Sequence, residues 1–334
     1  MNWWPFMIFT FLARDMLRFT GVPALKYQFG GSAMTIRYIV TEGKLVSVGR
    51  IMAPLILLGA LVSGPADATP FTFSTGNPDG RMATSSRMGI PGGVASETAD
   101  DFVLTSQTRI TGATFYGLLP SSVSLVSFTQ LQVAFYNVFP LDSTSPPSGN
   151  VPTRVNSPAD SDISGARRDS SAGSLSYSTE ILSPGFTAAN SVIFGIHPGP
   201  NALTGGEGPQ SGEEIGIGVT FTTPVILDAG HYFFRPQMLV TGGDLLWLSA
   251  PRPIISPGTP FLPDLQSWIR DDNLAPDWLR IGTDITGQGP FNAAFSLAGE
   301  TIDGSGNVPE PSDWVILPGL LSFLALRWCR RVRV

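Results

Sequence analysis

The chain has 334 residues, a net charge of −6 and a single cysteine, and it is long enough to bury a sizeable core without disulfides. Its charge is segregated: residues 69–307 carry 21 Asp and Glu against 10 Arg and no Lys, and the other ten basic residues lie in the two ends. An acidic, Lys-free middle repels polyphosphate and argues against nucleic acid as a partner. The placement of Cys329 in the Arg-rich end excludes a disulfide framework, a thiolate metal site and a cysteine nucleophile from the middle.

In chain order, residues 1–33 hold an apolar stretch around Trp3, Trp4, Phe6 and Phe11 that a signal peptide does not need in front of it. The economical reading is an over-extended start with Met34 as initiator; a membrane-associated leader is the alternative. Met52 to Val62 is an apolar run preceded by Arg37, Lys44 and Arg50 and followed by a Gly-Pro break and the A-x-A site Ala66-Asp67-Ala68. This is the pattern of a secretory signal over residues 34–68, cut after Ala68, and the run is short of the roughly 20 residues that span a bilayer. The secretion translocon and signal peptidase are then partners.

From Thr69 onward, turn residues punctuate short apolar runs. Ile215, Ile217, Val219 and Phe221 alternate with Gly216, Gly218 and Thr220, the period of a strand with one buried face. Further strands are expected at 101–104, 110–116, 131–138, 174–181, 191–196, 231–234, 238–240, 245–249 and 291–297. Asn137 to Ser171, rich in Pro, Ser and Asp, reads as a long loop, and Asp264 to Leu279 as containing a short helical turn. Many short strands with turn chemistry between them predict an all-β body over 69–307, a β-sandwich or jelly roll, flanked by a signal-peptide helix and a short C-terminal hydrophobic helix.

The tail has three parts in order: Val308-Pro309-Glu310-Pro311-Ser312, the apolar run Trp314 to Leu326, and Arg327, Arg330, Arg331 and Arg333. The two prolines keep Glu310 in an extended, accessible peptide. Thirteen apolar residues cover about 20 Å of a roughly 30 Å hydrocarbon core, a marginal and transient span, and the arginines act as a cytoplasmic stop. Residues 308–334 resemble the PEP-CTERM sorting signal of exported proteins of Gram-negative bacteria. That resemblance implies cleavage near Pro309-Glu310-Pro311 by a membrane-embedded, exosortase-type enzyme. It also implies an inner-membrane intermediate, delivery to the cell surface or extracellular matrix, and exopolysaccharide as a further partner. It says nothing of the body's fold.

Within the body no catalytic constellation, cofactor motif or metal motif stands out. His197 and His231 lack a metal-ligand partner at helical or hairpin spacing, and no H-E-x-x-H, G-x-S-x-G or phosphate-binding loop is present. The acid pairs Asp100-Asp101, Glu213-Glu214 and Asp271-Asp272, and Asp160-x-Asp162, are oxygen donors suited to calcium, but neighbours on a strand point to opposite faces, so solvated loop acids are the favoured reading. Trp268 and Trp278, in an Asp-rich setting, are candidates for an exposed platform on which sugar rings stack. The expected function is therefore that of a non-enzymatic surface or matrix protein; a glycan-binding module or glycan hydrolase is the alternative.

Overall fold

The computed structural model describes residues 68–89, 94–197, 199 and 203–302, together with four short strands nearer the N-terminus. The chain divides into two compact units, Met1–Ala66 and Asp67–Val334. In the first, β1 (Leu25–Phe29) pairs with β2 (Ser32–Ile36) and β3 (Ile39–Thr41) with β4 (Lys44–Val46), two antiparallel hairpins. The apolar run 52–62, Ala66, the Val308–Ser312 motif, the terminal arginines and both expected flanking helices lie outside the described residues.

The second unit is all-β and built on two sheets. The larger contains β5 (Thr69–Ser74), β6 (Met82–Ser85), β8 (Thr108–Leu119), β11 (Leu175–Ala188), β12 (Asn190–Val192), β13 (Gln210–Leu227), β15 (Leu246–Ala250), β18 (Asn292–Ala293) and β19 (Phe295–Thr301). Its main path runs β11-β13-β8-β15-β6-β12, and β19 fills the remaining edge of β8 while pairing with β5 on its other side. The smaller sheet runs β10-β9-β14-β7-β16-β17, made of β7 (Ser96–Leu104), β9 (Phe128–Asn137), β10 (Arg168–Asp169), β14 (Gly230–Val240), β16 (Trp268–Asp271) and β17 (Leu279–Arg280). All its pairings are antiparallel.

The period-two pattern works as the sequence predicts on β13: Ile215, Ile217, Val219 and Phe221 are buried while Thr220 faces solvent. Gly112 on β8 lets β13 approach, since a Cβ there would sit 2.7 Å from the Val219 carbonyl oxygen. The two sheets contribute facing side chains to one core. Phe234 of the smaller stacks on Phe295 of the larger at 5.0 Å, and Phe135 meets Phe221 edge-on at 6.2 Å. Each such ring removed from water stabilises the fold by about 1.5–3 kcal/mol.

The other face of the smaller sheet is covered too. Ala99, Ala134, Tyr136 and Phe233 on that face pack against Leu265, Trp268 and Trp278 in a separate apolar cluster. Part of the cover is the stretch between β9 and β10. It has no strand, only an isolated bridge between Val138 and Pro158, yet Val151, Arg154, Ser157, Ala159 and Ala166 are buried in it. The expected long loop is thus also a packed cover, with Arg154 pinned inside by Asp160 at 2.5 Å and by Asp277 at 3.4 Å.

The expected helical turn within Asp264–Leu279 is a single turn in the passage from β16 to β17, where the Ala275 amide donates to the Asp271 carbonyl at 3.1 Å. Asp271 Oδ1 accepts the Asn273 and Leu274 amides, an Asx turn that competes with helix. The strand expected at 191–196 is only the three-residue β12. The one expected at 291–297 is broken at Ala294, whose amide turns to the Leu248 carbonyl.

Candidate functional site

An open cavity of about 840 Å³ is walled by Ile254, Pro260, Phe261 and Pro290, with Arg252 and Asp264 as its charged residues. An apolar cleft with a few converging polar groups is where binding chemistry is usually found. Asp264 belongs to a polar cluster beneath it, to which four parts of the fold contribute.

β7 brings Asp100 and Asp101, which are adjacent and so point to opposite faces of the sheet. On one face Asp101 meets His231 of β14, Nε2 to Oδ2 at 2.6 Å, and accepts the Leu265 amide at 3.0 Å. His231 is held flat over Phe233 and edge-on to Phe261. On the other face Asp100 is fully buried and accepts the Ala293 amide at 2.7 Å. The segment after β15 supplies Arg252, Asp264 and Ser267. Asp264 Oδ2 lies 3.4 Å from Arg252 Nε and accepts the Asn292 amide nitrogen at 3.2 Å.

Burial pushes the Asp100 carboxyl well above the usual carboxylate range, and the Asp101 and Asp264 charges push it the same way. Asp101 is also raised by burial, against the opposing pull of its His231 hydrogen bond. Four buried oxygens here take no hydrogen bond: Oδ1 of Asp100, of Asp264 and of Asn292, and Oγ of Ser267. Among the described residues, no three His, Cys, Asp or Glu side chains converge as a metal set, and His231 bonds Asp101 rather than a nucleophilic hydroxyl.

A second polar cluster sits on the covered face, around Glu97. Its carboxylate faces Arg270 at 2.6 Å, Arg235 at 3.4 Å and the Tyr136 hydroxyl at 3.3 Å. Burial alone would raise Glu97, but the two guanidinium groups outweigh it and hold the carboxyl below its usual value.

Trp268 and Trp278 line this second cluster at 1 % and 0 % exposure, so neither presents a face to a sugar. The reason is local: Arg270 stacks on the Trp278 ring at 4.3 Å, Tyr136 packs against it edge-on, and its Nε1 donates to the Ala159 carbonyl. Of the processing residues, Ala68 is exposed one position before β5. The residues that join the acid pair in the cluster, Arg252, Asp264, Ser267 and Asn292, carry no motif; only the Asp100-Asp101 pair marks the site in sequence. No protein family, no characterised protein sequence and no solved structure matches the chain.

Proposed function

We propose that this chain is an exported, non-enzymatic surface protein: a β-sandwich delivered by a signal peptide cut after Ala68 and by a PEP-CTERM-like sorting segment over 308–334. The observation that carries this reading is how the body closes. β5 starts at Thr69, the residue after the A-x-A site, and it pairs antiparallel with β19, Thr69 opposite Thr301 and Ser74 opposite Ser296. The first and last strands of the body thus lock each other, and β19 also pairs along β8. Cleavage after Ala68 and again near Glu310 removes no strand of this sheet. The glycan-platform alternative loses its stacking residues with the burial of Trp268 and Trp278.

The test is fractionation with body-specific and tail-specific antibodies, in a host that carries the processing enzyme, together with mass spectrometry of the mature N-terminus. The mature protein is expected to begin at Thr69 and to lack its Arg-rich end, and replacement of Pro309-Glu310-Pro311 by three alanines is expected to leave an uncleaved, membrane-retained form. Recovery of residues 2–33 in the exported product, or an Arg-rich end kept at the cell surface, would contradict the proposal.

A further inference from the structure

The cluster beneath the cleft contains more oxygen than its own partners satisfy. Asp100, Asp101 and Asp264 are three carboxylates in one neighbourhood. The charged or chargeable groups that face them are His231 from β14, committed to Asp101, and Arg252 from the segment after β15, committed to Asp264 and donating to the Asp264 backbone carbonyl as well. Asp100 has none. Its neighbours are also oxygens: the Ser267 hydroxyl faces Asp100 without completing a hydrogen bond, and Asn292, next to the residue whose amide Asp100 accepts, has a free amide oxygen at 1 % exposure.

The backbone draws these groups together from separate elements. The Ser267 amide bonds the Phe291 carbonyl, Asn292 Nδ2 donates to Asp264, and Ala293 donates to Asp100. A buried oxygen with no partner costs about 1–3 kcal/mol, more if charged, so four in one place are an arrangement that natural folds retain only for a reason.

We propose that Asp100, Asp264, Asn292 and Ser267 form a buried site for a hard divalent cation of the size of Ca²⁺. Calcium takes carboxylate, amide and hydroxyl oxygens in variable geometry and completes its shell with water, whereas soft metals want nitrogen or sulfur, which these four side chains do not offer. Asp100 and Asp264 bring negative charge to the ion, and Asp264 keeps its Arg252 partner. The site is built from two acids plus neutral oxygens, so it needs no third acidic ligand. The proposal stands apart from the export reading, since it rests only on the body's own side chains.

The experiment is titration of CaCl₂ into the EDTA-treated full-length chain by calorimetry, with thermal melts in EDTA and in excess CaCl₂ or MgCl₂. Calcium is expected to raise the wild-type melting temperature by about 5 °C, with a smaller rise from magnesium. Asp100→Asn is expected to weaken calcium binding at least tenfold. Asn292→Ala, which deletes a neutral ligand, is expected to weaken it severalfold, and it serves if the first variant fails to fold. Wild-type melts that do not respond to calcium would overturn the site outright. Undiminished calcium affinity in Asp100→Asn or in Asn292→Ala would place any ion elsewhere and overturn it equally.

Discussion

Glu97 and Asp100 lie three residues apart on β7, on opposite faces of the same sheet, and each is drawn into a polar cluster away from bulk water. Glu97 is met by Arg235, Arg270 and the Tyr136 hydroxyl, and its carboxyl is held low. Asp100 is met by Asp101 and Asp264, and its carboxyl is pushed up. Burial raises both, so the difference comes from the neighbouring charges, guanidinium groups at Glu97 and carboxylates at Asp100. The first cluster pairs its carboxylate with guanidinium groups and fastens the cover over the sheet; the second gathers unpartnered oxygens beneath a cleft.

The comparison can be broken most severely from the closed side. Arg235→Met removes a fully buried guanidinium that contacts Glu97, Gln132 and Gln237, and it is expected to cost about 4 kcal/mol in urea unfolding, the usual cost of removing one partner of a buried pair. Arg154→Ala is expected to cost about 2–3 kcal/mol, discounted because Asp160 reaches solvent. It has a local signature as well: limited proteolysis between 138 and 167 speeds up before the sheets unfold. A two-residue Gly-Ser insertion between Pro146 and Pro147, in the exposed part of the same stretch, is expected to change stability by less than about 0.5 kcal/mol. An insertion next to Arg154 that proved equally harmless would show that the cover is not anchored as described.

The sequence was legible where one face of a strand meets solvent. β13 announces itself by alternation, and the Pro and Ser density of 137–171 marks a stretch whose interior holds no strand but the two-residue β10. It was only partly legible where both faces are covered: β7 reads Ser-Glu-Thr-Ala-Asp-Asp-Phe-Val-Leu, of which only 101–104 signals a strand, and its acids look like loop acids because their guanidinium, amide and imidazole partners arrive from positions 130–193 residues away. The tryptophans misled for the same reason. Polar neighbours in sequence suggested exposure, whereas Arg270 and the 138–167 cover bury them in space.

The two faces also differ in sign with pH. Glu97, with its folded value lowered, contributes stability that is present above the ordinary Glu range near pH 4 and is lost as pH falls. Asp100, with its folded value raised, contributes stability that is fully present below the ordinary Asp range and is lost as pH rises through its folded value. The most direct test of unequal partner supply is urea denaturation of wild type and Asp100→Asn in EDTA, followed from about pH 5 to about pH 8. Ionised Asp100 carries an uncompensated charge in the folded state and the asparagine does not, so the account predicts that wild type loses stability relative to the variant as pH rises. A stability difference that stays flat with pH, or that moves in favour of wild type, would contradict it.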